Sequence, residues 1–138
     1  MSSRSKARKR ALDILFESEL RGLEAGATLD ERREVARSPI NDYTIQLVEG
    51  VAAHLAEIDT TLSTYSSGWS LERMPAVDRN ILRIGVFELT WVDDLPPAVA
   101  LSEAVAMARE LSTDESPAFV NGLLAKVASV AQSPEAGQ

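Results

Sequence analysis

The segment from Val77 to Val92 constrains the fold more than any other. Ile81, Leu82, Ile84, Phe87, Leu89 and Trp91 cover most of a helical circumference and leave Arg79, Arg83 and Thr90 as a narrow polar strip. A helix that is apolar on nearly every side cannot lie on a surface; other elements must surround it. Those elements also read as helices. Nowhere do apolar and polar residues alternate as a half-buried strand requires, and spacings of three and four recur along the chain. With 138 residues, 45% of them hydrophobic and 25% charged, the chain suffices for one globular domain. The expectation is an all-α bundle of six or seven helices over residues 11–132, with a basic arm at 1–10 and a disordered tail at 133–138.

The helices are predicted from their faces and their stop signals. Leu12, Leu15, Phe16 and Leu23 share one side of a first helix that runs out of the basic arm, and Gly22 and Gly26 bracket its end. Thr28 followed by Glu31 reads as a capping box for a short second helix, and Ser38-Pro39 breaks the chain. Tyr43, Leu47, Val51, Leu55, Ile58 and Leu62 predict one long helix, or two nearly collinear ones joined near Gly50. Ser70 to Arg73 forms a short turn ended by Pro75. Beyond the loop at Pro96-Pro97, Leu101, Ala104, Val105, Ala108 and Leu111 form the inner face of the next helix. In the last helix Ser116 stands as N-cap with Pro117 in the first helical position, and Phe119, Val120, Leu123, Leu124 and Val127 share a side.

Catalytic chemistry finds little support. The chain has no cysteine, and its single histidine, His54, lies mid-helix and reads as structural. No glycine-rich phosphate loop and no nucleophile elbow is present. Asp93-Asp94 and Asp114-Glu115 stand beside helix ends, where acids serve as caps. The expectation is a protein that is not an enzyme, with no catalytic, metal or cofactor site. No apolar run approaches the ~20 residues of a membrane span. Asp13, Glu17 and Glu19 interrupt the sequence after the basic start, unlike a signal peptide. A reducing, cytoplasmic compartment is therefore expected.

Charge supplies the functional clue. Net charge is −7, yet Arg4, Lys6, Arg8, Lys9 and Arg10 crowd the first ten positions, where there is no acid. The other residues balance at −12. An acidic body with a basic arm suggests a polyanion held at one end. Because the arm flows directly into an amphipathic helix, it suits the backbone of a short single RNA strand. Were all five cations to meet phosphates, log–log salt dependence of binding would have a slope of magnitude about 3.5, from ~0.7 per phosphate. Phe119, at the edge of its apolar face, is a candidate for stacking on a base, with a core role as the alternative. If the arm is only a solvated tail, what remains is a protein-only interaction module that docks another factor on its acidic face.

Three strings together are specific. Pro75-Ala-Val-Asp-Arg-Asn-Ile-Leu-Arg-Ile-Gly-Val-Phe-Glu-Leu89 resembles the central helix of the NusB family of bacterial transcription antitermination factors. Ser102 to Arg109 and Ser116 to Leu124 are similar to that family's last two helices, and Ala7-Arg8 with Ala11-Leu12 and Leu15-Phe16 to its first. The resemblance spans essentially the whole chain. It implies two three-helix halves and pairing with NusE, a small-subunit ribosomal protein. The pair would bind single-stranded boxA RNA of nascent ribosomal transcripts within the RNA polymerase antitermination complex, supporting read-through of terminators. By position it implies RNA contact for Arg4, Lys6, Arg8, Lys9, Arg10, Glu115 and Phe119. It implies a NusE-facing role for Phe16, Glu72, Asp78 and Arg79, with Asp78 and Arg79 leaving the core. Monomer and homodimer both stay open.

Overall fold

The computed structural model describes residues 2–131, so the tail expected at 133–138 lies outside the described residues. Seven α-helices are present in them: α1 (Ser3–Leu20), α2 (Leu29–Val35), α3 (Asp42–Ala53), α4 (Leu55–Tyr65), α5 (Ala76–Trp91), α6 (Pro97–Leu111) and α7 (Ser116–Ala131). A 3₁₀ turn, Leu71–Arg73, precedes α5. The all-α expectation holds, and α5 is its axis. On it Ile81, Leu82, Ile84 and Val86 are all but inaccessible, and it packs against α1, α3, α4, α6 and α7. The N-terminal helices α1 and α3 and the C-terminal pair α6 and α7 thus meet across one shared helix.

The basic arm is not a separate segment. It forms the first two turns of α1, which Ser2 caps by accepting from the Ser5 N–H at 3.1 Å. Small residues draw this end into the body: Ala7 and Ala11 are buried, and the Thr44 hydroxyl of α3 donates to the Ala7 carbonyl at 3.0 Å. The first helix stops at Leu20, so Leu23 falls beyond it and is 41% exposed instead of sharing the buried face. Gly22 and Gly26 turn the chain there with φ of +69° and +77°.

Two caps differ from expectation. Thr28 has helical backbone angles, φ −80° and ψ −4°, and from there its side chain cannot reach back over the first turn of α2. Its hydroxyl joins Ser18 at 2.9 Å and the Ile14 carbonyl at 3.2 Å, fastening α2 to α1, while Glu31 pairs with Arg21 at 2.8 Å. Ser116 likewise lies inside the first turn of α7. Its hydroxyl donates to Asp78 Oδ2 at 2.8 Å rather than capping.

The long apolar stripe after Asn41 is two helices, with the break at His54 (φ −112°, ψ 20°) rather than at Gly50. The imidazole stacks on Trp91 with ring centroids 4.0 Å apart, in agreement with a structural histidine. Gly50 is needed for another reason. A Cβ there would stand 2.2 Å from the Phe87 ring, which is itself stacked on Trp91. Gly50→Ala is therefore expected to destabilise by about 1–3 kcal/mol, because overpacking outweighs the ~1 kcal/mol gain in helix propensity. Urea denaturation checks it, and an unchanged midpoint would contradict the clash.

Candidate nucleic-acid interface

The helical register of α1 sorts the five basic residues into different environments. Arg8 lies one and two turns before Leu12 and Leu15, on the inner stripe, and is 1% exposed. Its Nε donates to the Glu88 carboxylate of α5 at 2.8 and 3.1 Å, and its Nη1 lies 3.2 Å from Glu103 of α6. The Tyr43 hydroxyl also donates to Glu88. Burial pushes the Glu88 carboxyl upward, against the pull of Tyr43 and Arg8, and pushes the Tyr43 phenol upward as well. Arg8 is consequently a structural cation of the core, and a strand outside the protein cannot reach it. Extending the Leu15–Leu12 stripe back by one turn would have revealed this in the sequence.

The other four stay accessible, though not equally available. Arg4 lies over the Tyr43 ring at 4.3 Å and meets Asp94 at 3.2 Å. Lys9 pairs with Glu110. Lys6 and Arg10 are exposed one turn apart, and among the described residues neither has a carboxylate within ion-pair distance. They overlook a groove of about 430 Å³ between α1 and the segment joining α2 to α3.

Phe119 and Glu115 stand at the other end of α5. Phe119 is half-buried, with its ring centroid 5.9 Å from that of Trp69 and the planes tilted by 47°. Trp69 is 55% exposed. Trp69 lies outside every apolar helical face in the sequence, although an aromatic residue in a Ser-Gly-rich turn is a usable signal. The two rings, with Pro75 and Thr113, line a cleft of about 140 Å³ whose rim holds the exposed Glu115. The N–H of Phe119 is occupied by the Glu115 carbonyl at 3.2 Å, so this helix start does not present it to a phosphate.

The residues assigned to a protein partner divide in the same way. Phe16 is half-buried on α1, one turn from Leu20, which is 68% exposed, and Glu72 is exposed on the 3₁₀ turn. Asp78 does not leave the core: it is buried and accepts from Ser112 and Ser116, tying α5 to the start of α7. Arg79 is half-buried. It donates to the Leu71 and Met74 carbonyls at 2.8 and 2.9 Å and to Glu19. The expectation that both side chains point outward fails because the first turn of α5 is enclosed by α7 and the 3₁₀ turn.

Among the described residues no cluster of His, Asp or Glu is arranged to hold a metal, and no helix is long and apolar enough to cross a membrane.

Comparison with known proteins agrees over most of the chain. The NusB family model matches residues 5–129. Transcription antitermination protein NusB from a Nocardioides species is 61% identical over 127 residues, covering 92% of this chain and 94% of that one. The protein of the same name from Thermobifida fusca is 58% identical over 125 residues, covering 91% and 88%. Among solved structures, T. maritima NusB superposes with a TM-score of 0.83 at 30% identity, over 99% of this chain and 97% of that one. A structure of the antitermination factors NusB and NusE in complex with dsRNA gives 0.78 at 28% identity, over 91% and 96%. The chain belongs to the NusB family of transcription antitermination proteins.

Proposed function

We propose that this protein is a non-enzymatic RNA-binding adaptor that pairs with NusE, holds single-stranded boxA RNA of nascent ribosomal transcripts and supports read-through by RNA polymerase in the cytoplasm. The observation that carries the RNA assignment is the exposed pair Lys6 and Arg10 on the first turns of α1, which have no carboxylate partner among the described residues of a protein of net charge −7. The structure of a NusB–NusE pair with dsRNA, similar over 91% of this chain, supports the choice of partners.

Fewer phosphates are engaged than five cations suggest. Arg8 is buried, and Arg4 and Lys9 form pairs with no net charge, so counterion release rests on Lys6 and Arg10. Their share of the salt slope is about 1.4, from ~0.7 per phosphate of a single strand. Phe119, with Trp69 beside it, supplies a stacking surface for a base at the other end, next to Glu115. Phe16 and Glu72 form the NusE-facing surface, where acidic character suits a basic ribosomal protein; Asp78 and Arg79 support it from below.

Fluorescence anisotropy with a single-stranded boxA-type RNA, with and without NusE and across a salt series, tests this reading. Binding is expected to strengthen with NusE, and Lys6→Ala with Arg10→Ala should remove about 1.4 from the slope. Unaltered RNA affinity in that double variant would overturn the role of the arm. A NusE complex that forms without any RNA binding would leave a protein-only module.

A further inference from the structure

One wall of the groove above Lys6 and Arg10 is α1. The other is the segment from Ala36 to Asn41, between α2 and α3, and it carries Arg37. This segment is held against α1: the Asn41 side chain donates to Ser3 Oγ at 3.3 Å, and its own oxygen accepts from the Tyr43 N–H at 2.7 Å, capping α3. Arg37 is exposed, and among the described residues it has no carboxylate within ion-pair distance. The lining includes three cations, Lys6, Arg10 and Arg37, with the hydroxyls of Ser3 and Ser38, and no aspartate or glutamate.

In an acidic protein, three cations around one concavity whose lining holds no carboxylate are a local reversal of the field. Two other arginines of this region are instead neutralised by carboxylates. Arg32 on α2, five residues earlier, meets Asp13 at 2.9 Å and also pairs with Glu17. Arg21 is shared between Glu17 and Glu31.

We infer that Arg37 completes a two-walled phosphate groove with Lys6 and Arg10, taking the phosphodiester backbone of a single RNA strand between α1 and the α2–α3 segment. The inference rests on the RNA-binding reading above and adds to it a wall that lies outside the basic arm. Opposed walls matter physically. A cation on one side attracts a strand, whereas cations on both sides fix its path. Arg37 offers a planar donor fork suited to two phosphate oxygens, and Lys6 a point charge opposite.

The test compares Arg37→Ala with Arg33→Ala, an equal loss of charge at an exposed position on α2 that does not line the groove. Both are read by anisotropy of the same boxA-type single strand, from about 0.1 to 1 M salt, in the presence of NusE. The full groove predicts a wild-type slope of about 2.1, and Arg37→Ala should lower it by about 0.7. That corresponds to about fivefold weaker binding at 0.1 M salt, converging toward 1 M. Arg33→Ala should stay within twofold of wild type.

Equal losses in the two variants would mean a diffuse field and overturn the groove. Wild-type binding that depends on Lys6 and Arg10 but not on Arg37 would also overturn it, leaving the RNA-binding reading intact. Absence of RNA binding by the wild type would remove both. An Arg37→Ala variant that loses NusE affinity without RNA, while RNA affinity is kept, would reassign the residue to protein contact. Melting temperatures equal to wild type establish that the folded protein is being compared.

Discussion

Replacing Glu88 by alanine is expected to lower the stability of the protein by about 3–5 kcal/mol, enough to unfold a marginal domain of this size. The carboxylate is 2% exposed and faces the guanidinium of Arg8, itself 1% exposed, with the Tyr43 hydroxyl as a further donor. Removing it leaves a buried cation with only Glu103 nearby at 3.2 Å, together with an orphaned phenol. Desolvating both charges is costly, so the intact pair contributes far less than its loss costs. The double substitution Arg8→Met with Glu88→Leu should therefore recover most of the deficit, leaving mainly the Tyr43 hydroxyl unsatisfied. Urea denaturation of the three proteins measures this. A Glu88→Ala variant within 1 kcal/mol of wild type would contradict the buried-pair assignment. Neutralising Arg8 to probe RNA binding would consequently confuse unfolding with lost contact, and the informative variants are Lys6 and Arg10.

Removal of Glu19 comes next in expected effect. This residue, on the last turn of α1, accepts from Arg79 Nε at 3.1 Å and from Arg83 Nη1 at 3.0 Å. Arg83 also holds Asp59 of α4 through two bonds of 2.9 Å, and Arg79 holds the 3₁₀ turn. One carboxylate thus joins α1, α4, α5 and the turn that carries Glu72. Glu19→Ala should cost about 2 kcal/mol, since hydrogen bonds to charged groups contribute ~1.5–3 and a side chain 28% exposed is moderated by solvent.

The pH dependence follows from the same contacts. Burial alone would raise the Glu19 carboxyl, but the hydrogen bond from Arg79 and the charges of Arg79 and Arg83 hold it below its ordinary value of 4.5. Because the folded protein binds this proton more weakly than the unfolded chain does, the stabilisation is complete above about 4.5. It is lost as pH falls through the folded value. The gap between wild type and Glu19→Ala should accordingly narrow below pH 4.5, as read by denaturation midpoints at neutral and acid pH. A gap that stays constant would show that the network does not act through ionisation.

Much of the architecture was legible in residue spacing. Six of the seven helices lie close to where the apolar periodicities placed them, α2 follows the start signal read at Thr28, and the segment most apolar around its circumference is the central α5. The 3₁₀ turn before Pro75 and the break after Ser38-Pro39 followed from local chemistry too. These features depend on contacts within a few residues, and a sequence displays such contacts directly. The caps at Thr28 and Ser116 were misread because their hydroxyls are claimed by Ser18 and Asp78, 10 and 38 positions away.

The candidate site divides along the same line. Composition alone identified a basic end on an acidic body, because charge balance needs no geometry. Which cations remain available was decided by the tertiary structure. Arg8 and Lys6 are both cations in the same short run, yet two residues on a helix are turned by about 200°. One side of α1 meets Glu88, 80 positions along the chain, and the other meets the groove whose far wall carries Arg37. A cation becomes a core ion or a ligand-facing charge according to what packing places opposite it, and that neighbour comes from distant parts of the chain.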